Sequence, residues 1–540
     1  MSAPRAIVIG AGHNGLVCAA YLARAGLAVE VLERRALIGG ASVTEEVWPG
    51  FRVSRAAYVL GLFRPQIVSE LGLDRHGLEL LPRTPSSFTP LIDGRALVLG
   101  SDQRANIAEI RRFSERDAEA FPRYEALLER IAAAVEPLLD APPAEPSLRG
   151  PRDLLPWWLG LRAVAKLGRD LPRAAAVLFG AARDLLEEWF DCEPLKATLA
   201  TDAVIGAFAS PAQPGTGYVL FHHVMGSVTG HRGVWAYVAG GIGKLPEAIA
   251  AAARAAGATI RTDCAVSRVR IQQGRAVGVT LASGEDVDAD VVVSSADPAC
   301  TFLGLVGERE LPEGFVRGLR RLDFRSPVFK VNLALRRLPE FRVRGRAEPV
   351  PLTGTIHVGC EDLDALEAAF NDAVQGEVSR RPMIELTIPS VLDPTLAPEG
   401  CHVASIFAQY APARAMDDPE WPVLRERALR HIIAALEEVA PGFGEAIEHV
   451  EVLAPPDLER LFALTGGNIF HGAMTPDRLL FLRPLPGWAR YRTPIHGLYL
   501  CGAGTHPGGG IIGACGRNAA GEIRRHLSVA LARHRPYGFR

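Results

Sequence analysis

The first residues with a clear chemical use form a glycine-rich segment at positions 10–15, GAGHNG. An apolar run at residues 6–9 precedes it and a helical pattern follows it, which predicts a buried strand, a tight turn and a helix. Glycines let the backbone approach a pyrophosphate, whose charge is then stabilised by free N–H groups at the helix N-terminus. The next apolar run ends at Glu33, and a carboxylate there accepts hydrogen bonds from ribose hydroxyls. The pattern predicts a dinucleotide site, and the alternative is a glycine turn in an ordinary α/β unit.

Two more glycine segments indicate which dinucleotide is bound. Residues 37–42, LIGGAS, closely follow the ribose-binding strand, where paired glycines permit a second close approach to the pyrophosphate. Residues 502–510, GAGTHPGGG, follow a short apolar run at the other end of the chain. A cofactor contacted from both ends of a chain is long, so the three segments together predict FAD. A last helix, predicted to begin at Ile511, would present N–H groups that stabilise negative charge on the reduced flavin.

These segments supply most of the predicted cofactor contacts. We also expect Val266, a strand residue in the middle of the chain, to present backbone groups to the adenine. The residues predicted to bind FAD are Gly10, Gly12, His13, Asn14, Gly15, Glu33, Arg34, Gly39, Gly40, Ala41, Ser42, Val266, Gly502, Ala503, Gly510, Ile511 and Ile512.

Three side chains close to the predicted flavin are candidates for catalysis. His506 lies within the last glycine segment, and Asn468 and His471 lie before the final cofactor strand. A histidine there can move a proton while the flavin accepts a hydride. Two alternatives stay open: His506 orders its loop without a chemical role, or removal of hydride from an activated C–H bond needs no essential side chain.

Histidine and cysteine spacings give no support for a metal or for a redox-active dithiol. His222, His223 and His231 have no cysteine or carboxylate at metal-ligand spacing, so we predict a helical or loop face and no metal. The eight cysteines are scattered and none forms a C-x-x-C pair, which argues against a zinc ribbon and a redox dithiol. We expect mostly buried free thiols in a reducing compartment.

Composition excludes several other classes of protein. A net charge of −2 gives no reason to expect nucleic-acid binding. No run of eighteen apolar residues is present, so we expect no helix that spans a membrane. We predict that the first strand begins within a few residues of Met1 and therefore expect no signal or transit peptide. The composition looks bacterial, so we expect a bacterial-type cytoplasmic protein.

The 540 residues are enough for two or three domains. We predict an α/β fold with a Rossmann-like FAD-binding domain of the glutathione reductase type, an inserted α+β substrate domain and a helical lid. The discontinuous cofactor domain would take residues 1–80, 225–300 and 480–540. The substrate and lid domain would take residues 81–224 and 301–479.

A stretch rich in proline, tryptophan and arginine at residues 149–172 has two interpretations. It contains Trp157, Trp158, Arg162, Lys166 and Arg169. It fits either an amphipathic element at a membrane surface, which would make the protein peripheral to a membrane, or a helical lid over a substrate site. The sequence leaves the oligomeric state open.

Several segments resemble a known family. Residues 497–510 look like the carboxyl-terminal flavin signature of the phytoene desaturase-like branch of FAD oxidoreductases, which is related to the flavin amine oxidases. Residues 240–243 and 294–298 are similar to internal landmarks of that branch. Four further segments resemble the pyridine nucleotide-disulfide oxidoreductase domain-containing protein 2 group, and the resemblance covers nearly the whole chain. These segments are residues 392–398, 456–460, 467–471 and 513–520.

The resemblance implies an FAD-dependent oxidoreductase, located in the mitochondrial matrix if the source is eukaryotic. The chain departs from the family in two respects. It has Ala41 where the desaturase branch often has an arginine after Gly39-Gly40, and it lacks the cysteine spacing that the group's name implies.

Three hypotheses for function follow. The first is an enzyme that desaturates or isomerises a hydrophobic small molecule by hydride transfer to flavin. The second is an FAD-stabilised interaction or regulatory protein linked to respiration. The third is an NAD(P)H-dependent reductase, against which the absence of a second complete dinucleotide-binding unit in the sequence argues.

Overall fold

The computed structural model describes residues 3–145, 154–346 and 349–533. The strands are β1 (Arg5–Ile9), β2 (Ala28–Leu32), β3 (Thr44–Trp48), β4 (Phe51–Ser54), β5 (Leu80–Pro82), β6 (Ser87–Pro90), β7 (Ala96–Leu99), β8 (Ala236–Val238), β9 (Thr259–Arg261), β10 (Val266–Gln272), β11 (Arg275–Leu281), β12 (Asp286–Asp288), β13 (Val291–Ser294), β14 (Val328–Leu335), β15 (Thr355–Val358), β16 (Met383–Thr387), β17 (His402–Gln409), β18 (Ile447–Leu453) and β19 (Leu498–Leu500).

The α-helices cover and connect these strands. They are α1 (His13–Arg24), α2 (Pro65–Leu71), α3 (Gln103–Arg111), α4 (Glu115–Leu139), α5 (Leu154–Leu167), α6 (Leu171–Phe179), α7 (Ala182–Trp189), α8 (Glu193–Val204), α9 (Thr216–Val224), α10 (Lys244–Ala255), α11 (Glu313–Leu319), α12 (Leu363–Val374), α13 (Trp421–Val439), α14 (Phe443–Ala446), α15 (Pro455–Phe462) and α16 (Ala514–Arg533).

A parallel sheet of five strands, in the order β19-β13-β1-β2-β9, joins distant parts of the chain. Its central strand β1 is apolar at consecutive positions because both faces of the sheet are covered. Ala6 and Val8 pack in one core with α1, α10 and α16, whereas Ile7 and Ile9 pack on the other face against strands β10 and β11. This layered arrangement confirms the predicted α/β fold with a Rossmann-like cofactor unit.

A second sheet of seven strands has the order β18-β14-β17-β16-β15-β6-β7. Its central strands are buried along their whole length, and their residues alternate between two environments. Phe329 and Val331 of β14 pack in one core with α13, as do Ile384 and Leu386 of β16. The residues between them face the other way, toward helices α4, α8 and α9, and a large cavity lies on that side.

The last helix begins later than the sequence predicts. Ile511 and Gly513 have φ angles of 57° and 72°, which a right-handed helix does not allow, so α16 begins at Ala514. The prediction of a helix from Ile511 is therefore wrong by three residues.

Candidate functional site

The turn between β1 and α1 presents backbone N–H groups to open space. Gly12 is the N-cap of α1, no side chain caps the helix, and its first turn has no acidic residue. A Cβ on Gly15 would lie 2.3 Å from the carbonyl oxygen of Gly10, whereas a Cβ on Gly12 would meet nothing within 4 Å. The glycines thus allow tight packing beneath the turn and keep its outer side free, as an anion at a helix N-terminus requires.

The second glycine loop lies directly against the first. The Gly39 amide donates to the carbonyl oxygen of Ala11 at 2.9 Å, and Gly40, with a φ of 58°, would bring a Cβ within 3.4 Å of the Gly12 Cα. Ser42 adds a hydroxyl 3.4 Å from the Nδ1 of His13. Two backbone segments that approach this closely can present their N–H groups to the same pyrophosphate.

Buried polar atoms without partners mark where a ligand belongs. His13 Nε2, Asn14 Oδ1 and His471 Nδ1 are buried and have no hydrogen-bond partner, and all three residues line the cavity. Burial and the proximity of His471 lower the pKa of His13 to about 3, so its imidazole is neutral at physiological pH. An unsatisfied buried polar group is costly. These residues therefore fit a polar ligand such as the phosphate, ribityl or flavin groups of FAD.

Glu33 lies at the end of the site where the sequence predicts the adenosine. This side chain is 5% exposed, and its oxygens accept from the Ala11 amide at 2.8 Å and from the Arg35 amide at 3.0 Å. Val266, at the start of β10, and Arg34 also line the cavity here. The Arg34 guanidinium donates to the Arg460 carbonyl oxygen at 3.1 Å and ties this edge to α15.

The carboxyl-terminal segment contributes another side of the same cavity. Ala503, Gly510 and Ile511 line it, as do Gly39, Gly40, Ala41 and Ser42. Of the predicted cofactor residues, Gly15, Gly502 and Ile512 do not line it. They support the site from behind: a Cβ on Gly502 would lie 2.3 Å from the Ser295 carbonyl oxygen, and the Ile512 carbonyl oxygen accepts from the Arg64 amide.

The structure separates the three catalytic candidates. His471 lines the cavity, and burial lowers its pKa. His506 and Asn468 are not among the lining residues. The His506 Nε2 lies 2.9 Å from the carbonyl oxygen of Leu138 in α4, which favours the interpretation that it orders its loop. Asn468 accepts from the amides of Phe470 and Gly472 and so shapes the turn that carries His471.

Arg483 holds these loops together, and sequence reasoning missed it. Its buried guanidinium donates to the carbonyl oxygens of Phe470 at 2.5 Å and of Ala503 at 2.9 Å. Burial lowers its pKa to about 10, so it stays charged at neutral pH. The arginine fixes the segment that carries His471 to the segment that carries Ala503.

Beyond the cofactor loops, the same cavity is lined by residues of the seven-stranded sheet and of helices α4, α8 and α9, and we call this part of it the chamber. The whole cavity has a volume of about 950 Å³. Aromatic and aliphatic side chains supply much of the chamber wall, which suits an apolar ligand. They are Phe121, Tyr124, Leu128, Leu220, Trp235, Phe407, Ile469 and Phe470.

One cross-strand row of side chains forms the floor of the chamber. Lys330 of β14 pairs with Phe407 of β17, Phe407 pairs with Glu385 of β16, and Glu385 pairs with His357 of β15. Neighbouring strands lie about 4.8 Å apart, so Lys330 and Glu385 stand roughly 10 Å from each other. All four residues line the cavity.

Tyr58 connects the two ionisable ends of this row. Its hydroxyl donates to Glu385 Oε2 at 3.1 Å, and the Lys330 Nζ lies 5.3 Å from the centre of its ring. Lys330 Nζ also donates to Asn332 Oδ1 at 2.6 Å and to the Ser405 hydroxyl.

Burial shifts the proton affinity of these chamber groups strongly. It lowers the pKa of Lys330 to about 7, and, with the charge of Asp202, raises the pKa of Glu385 to about 8. Burial also raises the pKa of Tyr58 and of Asp202. At neutral pH the chamber therefore holds a largely protonated carboxyl and a lysine that is neutral in a large fraction of molecules.

Sequence reasoning missed Lys330, Glu385 and His357, although each leaves a signal. Each is the one ionisable residue of a largely apolar strand: VFKVNLAL, MIELT and TIHV. A charged residue inside a strand that is buried on both faces is unusual and indicates a partner or a cavity. The spacing along the chain could not show that these residues share one row.

The histidine cluster and the cysteines take no part in a recognisable metal or disulfide site. His222 Nε2 lies 3.1 Å from the Gly509 carbonyl oxygen, and His223 Nδ1 lies 2.9 Å from that of Asp202. Within residues 3–145, 154–346 and 349–533, no group of three or more metal-binding side chains is found. All eight cysteines are free, and the pKa of Cys501 is raised by burial and by a hydrogen bond with Cys18, which disfavours the reactive thiolate.

Comparisons with known proteins identify the family. The profile of the family described as flavin containing amine oxidoreductase matches residues 15–524. The chain is 50% identical to pyridine nucleotide-disulfide oxidoreductase domain-containing protein 2 of Mus musculus, over 97% of this chain and 93% of that protein. It is 30% identical to a limonene dehydrogenase component of Castellaniella defragrans, over 97% of this chain and 95% of that protein.

A solved structure shows the same fold. Cyclohexylamine oxidase from Brevibacterium oxydans superposes with a TM-score of 0.56 at 18% identity, over 97% of this chain and 100% of that chain. The family match covers most of the chain, and the glycine loops and orphaned polar atoms fit the cofactor. The chain therefore belongs to the flavin-containing amine oxidoreductase family and is an FAD-dependent oxidoreductase.

Proposed function

We propose that this protein desaturates or isomerises a hydrophobic small molecule by transfer of a hydride to flavin. The observation that carries the proposal is the shared cavity of about 950 Å³, in which the glycine loops open into a chamber with a largely apolar wall. A ligand bound in that chamber can lie next to the cofactor with no layer of water between the two.

The chain's own residues bind and orient the two reactants. The N–H groups at Gly12 and His13 and the side chains of Asn14 and Glu33 would hold FAD, which when bound supplies a hydride acceptor. Leu220, Trp235 and other apolar chamber residues exclude water and orient the hydrocarbon. Positioning of this kind supplies a large part of the rate enhancement in many enzymes.

Desaturation also releases a proton, and Lys330 is placed to take it. In its neutral form the amine uses two N–H groups for Asn332 and Ser405 and keeps a lone pair on Nζ. With FAD bound as the hydride acceptor, this nitrogen would take the proton, so that a hydride and a proton leave neighbouring carbons as the double bond forms. In a redox-neutral isomerisation a hydride and a proton would both return to carbon, and Glu385, protonated at neutral pH, can supply that proton.

The relatives agree with an apolar substrate. The limonene dehydrogenase component is named for a hydrocarbon and matches nearly the whole chain, so we infer a substrate of that chemical class. Membership of an oxidoreductase family does not favour the alternative of an interaction protein that uses FAD for structure. We propose a reducing compartment, the bacterial cytoplasm or, in a eukaryote, the mitochondrial matrix, because all eight cysteines are free.

Product analysis tests the proposal. Purified holoprotein is incubated with apolar hydrocarbons, beginning with limonene, and with amines, beginning with cyclohexylamine, and the products are analysed by mass spectrometry. We expect a hydrocarbon product that has lost two hydrogen atoms, or one of unchanged mass and altered retention. Turnover of amines with none of the hydrocarbons would overturn the proposal.

A further inference from the structure

Helix α5 exposes an apolar surface that the packing of the protein does not explain. Leu154, Leu155, Trp158 and Leu161 are each more than half exposed, and Leu161 reaches 68%. Isolated exposed apolar residues are ordinary, but a contiguous group on one helix marks an interaction site.

The apolar face of α5 points away from the protein. The helix buries only Pro156, Ala163 and Leu167. With about 3.6 residues per turn, Leu154 and Leu161 lie on the opposite side of the helix from these three. A surface helix normally turns its apolar face inward, and α5 has an apolar face left over for another partner.

The charges around this face select an anionic partner. Residues 154–167 contain two charged residues, Arg162 and Lys166, and both are basic and exposed. Arg169 and Arg173 follow and are also exposed. The nearby carboxylate of Asp170 already accepts from Arg130 at 2.7 Å.

We propose that α5 and the turn that follows it, residues 154–173, dock this protein onto the surface of an anionic lipid bilayer. Leucine and tryptophan side chains would enter the boundary between headgroups and acyl chains, with the basic side chains at the phosphates. At about 1.5 Å per residue the helix is roughly 21 Å long, too short to cross the hydrocarbon region, so it lies in the interface. No helix in the described part of the chain is both long and apolar enough to span a bilayer.

The docking surface and the chamber are attached to the same helix. Several residues of α4, from Phe121 to Glu129 but without Arg123 and Leu127, line the cavity, and one turn later the Ala133 carbonyl oxygen accepts from Lys166. A hydrocarbon dissolved in the bilayer would therefore be released close to the chamber. This consequence rests on the proposed function, whereas the docking itself does not.

The stretch at residues 149–172 therefore has two compatible interpretations. Its α5 portion packs on the cavity-lining helix α4 and also turns an apolar face outward. Residues 149–153 lie outside the described residues.

Vesicle sedimentation tests the proposal with the purified holoprotein. The probes are vesicles of phosphatidylcholine alone and vesicles that also contain phosphatidylglycerol. We expect binding to the anionic vesicles that falls as salt is added, with Arg162→Glu/Lys166→Glu weakening it at least about 25-fold, since each basic residue contributes roughly fivefold.

Apolar contact is tested separately with Leu161→Glu. We expect about a tenfold or greater loss of vesicle binding, with unchanged flavin content and thermal midpoint. Val423→Glu is the matched control, because Val423 is 55% exposed on α13, and its binding should equal that of the wild type.

Two results would overturn the proposal. One is wild-type protein that stays in the supernatant with both kinds of vesicle. The other is a dimer in light scattering that Leu161→Glu converts to a monomer while vesicle binding is unaffected, which would assign the surface to a second copy of the chain.

Discussion

The cofactor loops and the chamber share one cavity but are built by different means. Around the cofactor loops the chain uses its backbone: Gly10, Gly12, Gly39 and Gly40 bring N–H groups and Cα atoms close together without side chains. In the chamber it uses side chains from strands and helices that are far apart in sequence. A backbone site is encoded in a few consecutive residues, whereas a side-chain site is encoded in the register of a sheet.

The cofactor loops and the chamber also differ in their electrostatics. The cofactor loops present a helix N-terminus with no acidic residue in its first turn, so their polarity is fixed and independent of pH. The chamber holds Lys330 and Glu385, whose pKa values lie near 7 and 8. We therefore expect changes in the loops to affect FAD binding, and changes in the chamber to affect turnover and its pH dependence.

Lys330→Met tests most sharply whether the chamber acts in turnover while the cofactor loops act in FAD binding. Loss of the base should lower the rate of flavin reduction by substrate roughly a hundredfold, as removal of a general base typically does. FAD content should stay at the wild-type level, because Lys330 belongs to the chamber floor. Stopped-flow absorbance measures the rate of flavin reduction, and the flavin-to-protein ratio measures FAD content. A parallel loss of FAD would show that Lys330 also contributes to cofactor binding.

The counterpart in the cofactor loops is Gly12→Ala. The φ of −68° at this position suits alanine, so the chain should fold, but the methyl group occupies the space next to the helix N-terminus. A clash of about 1.4 kcal/mol or more weakens FAD binding at least about tenfold.

Gly521→Ala is the control for the alanine substitution at Gly12. A Cβ at Gly521 also meets nothing within 4 Å, and it lies on the exposed side of α16. Its flavin-to-protein ratio after gel filtration should match the wild type. An FAD-replete Gly12→Ala protein would contradict the assignment of this loop to the pyrophosphate.

His471 and His506 are also expected to differ in their effects, because only His471 lines the cavity. His471→Asn should lower FAD affinity or flavin reduction up to about tenfold, because His471 lines the cavity; asparagine tolerates the φ of 58° found there. His506→Asn should lower the thermal midpoint without changing flavin reduction, since its ring faces Leu138. Slower flavin reduction in His506→Asn, with intact stability, would restore His506 as a catalytic residue.

The smallest change in a measured quantity is expected in the pH dependence of the thermal midpoint, because a chain of 540 residues converts a given free energy into a small shift in midpoint. The pKa of Glu385 rises from 4.5 to about 8 on folding, so between these values the folded state binds more protons than the unfolded state. Its contribution to the free energy of unfolding therefore falls as pH rises from about 5 to 8. Glu385→Gln removes this dependence.

Thermal melts at several pH values measure this effect. The midpoint of Glu385→Gln should increase relative to the wild type as pH rises through that window, while the exposed control Glu399→Gln should show a constant difference. A constant difference for Glu385→Gln would mean that Glu385 is ionised in the folded protein across the window.

The sequence predicted the backbone of the cofactor loops better than the chamber for a physical reason. Glycine spacing reports backbone geometry directly, so the strand, turn and helix around Gly10 and Gly12 could be predicted locally. Lys330, Glu385 and His357 meet only because β14, β17, β16 and β15 pair in a particular register. Proximity along the chain predicts His471, His506 and Asn468 as catalytic candidates. In the folded protein His471 lines the cavity, whereas His506 and Asn468 do not.

Whether a hydrocarbon reduces the flavin is measured most directly by the flavin absorbance of the holoprotein after anaerobic mixing. The protein is mixed with a panel of apolar hydrocarbons and, separately, with NADPH. We predict that at least one hydrocarbon bleaches the oxidised flavin, that Lys330→Met slows this bleaching, and that NADPH leaves the flavin oxidised. Rapid bleaching by NADPH with none by the hydrocarbons would rule out hydrocarbon oxidation and identify a reductase that takes its electrons from a pyridine nucleotide.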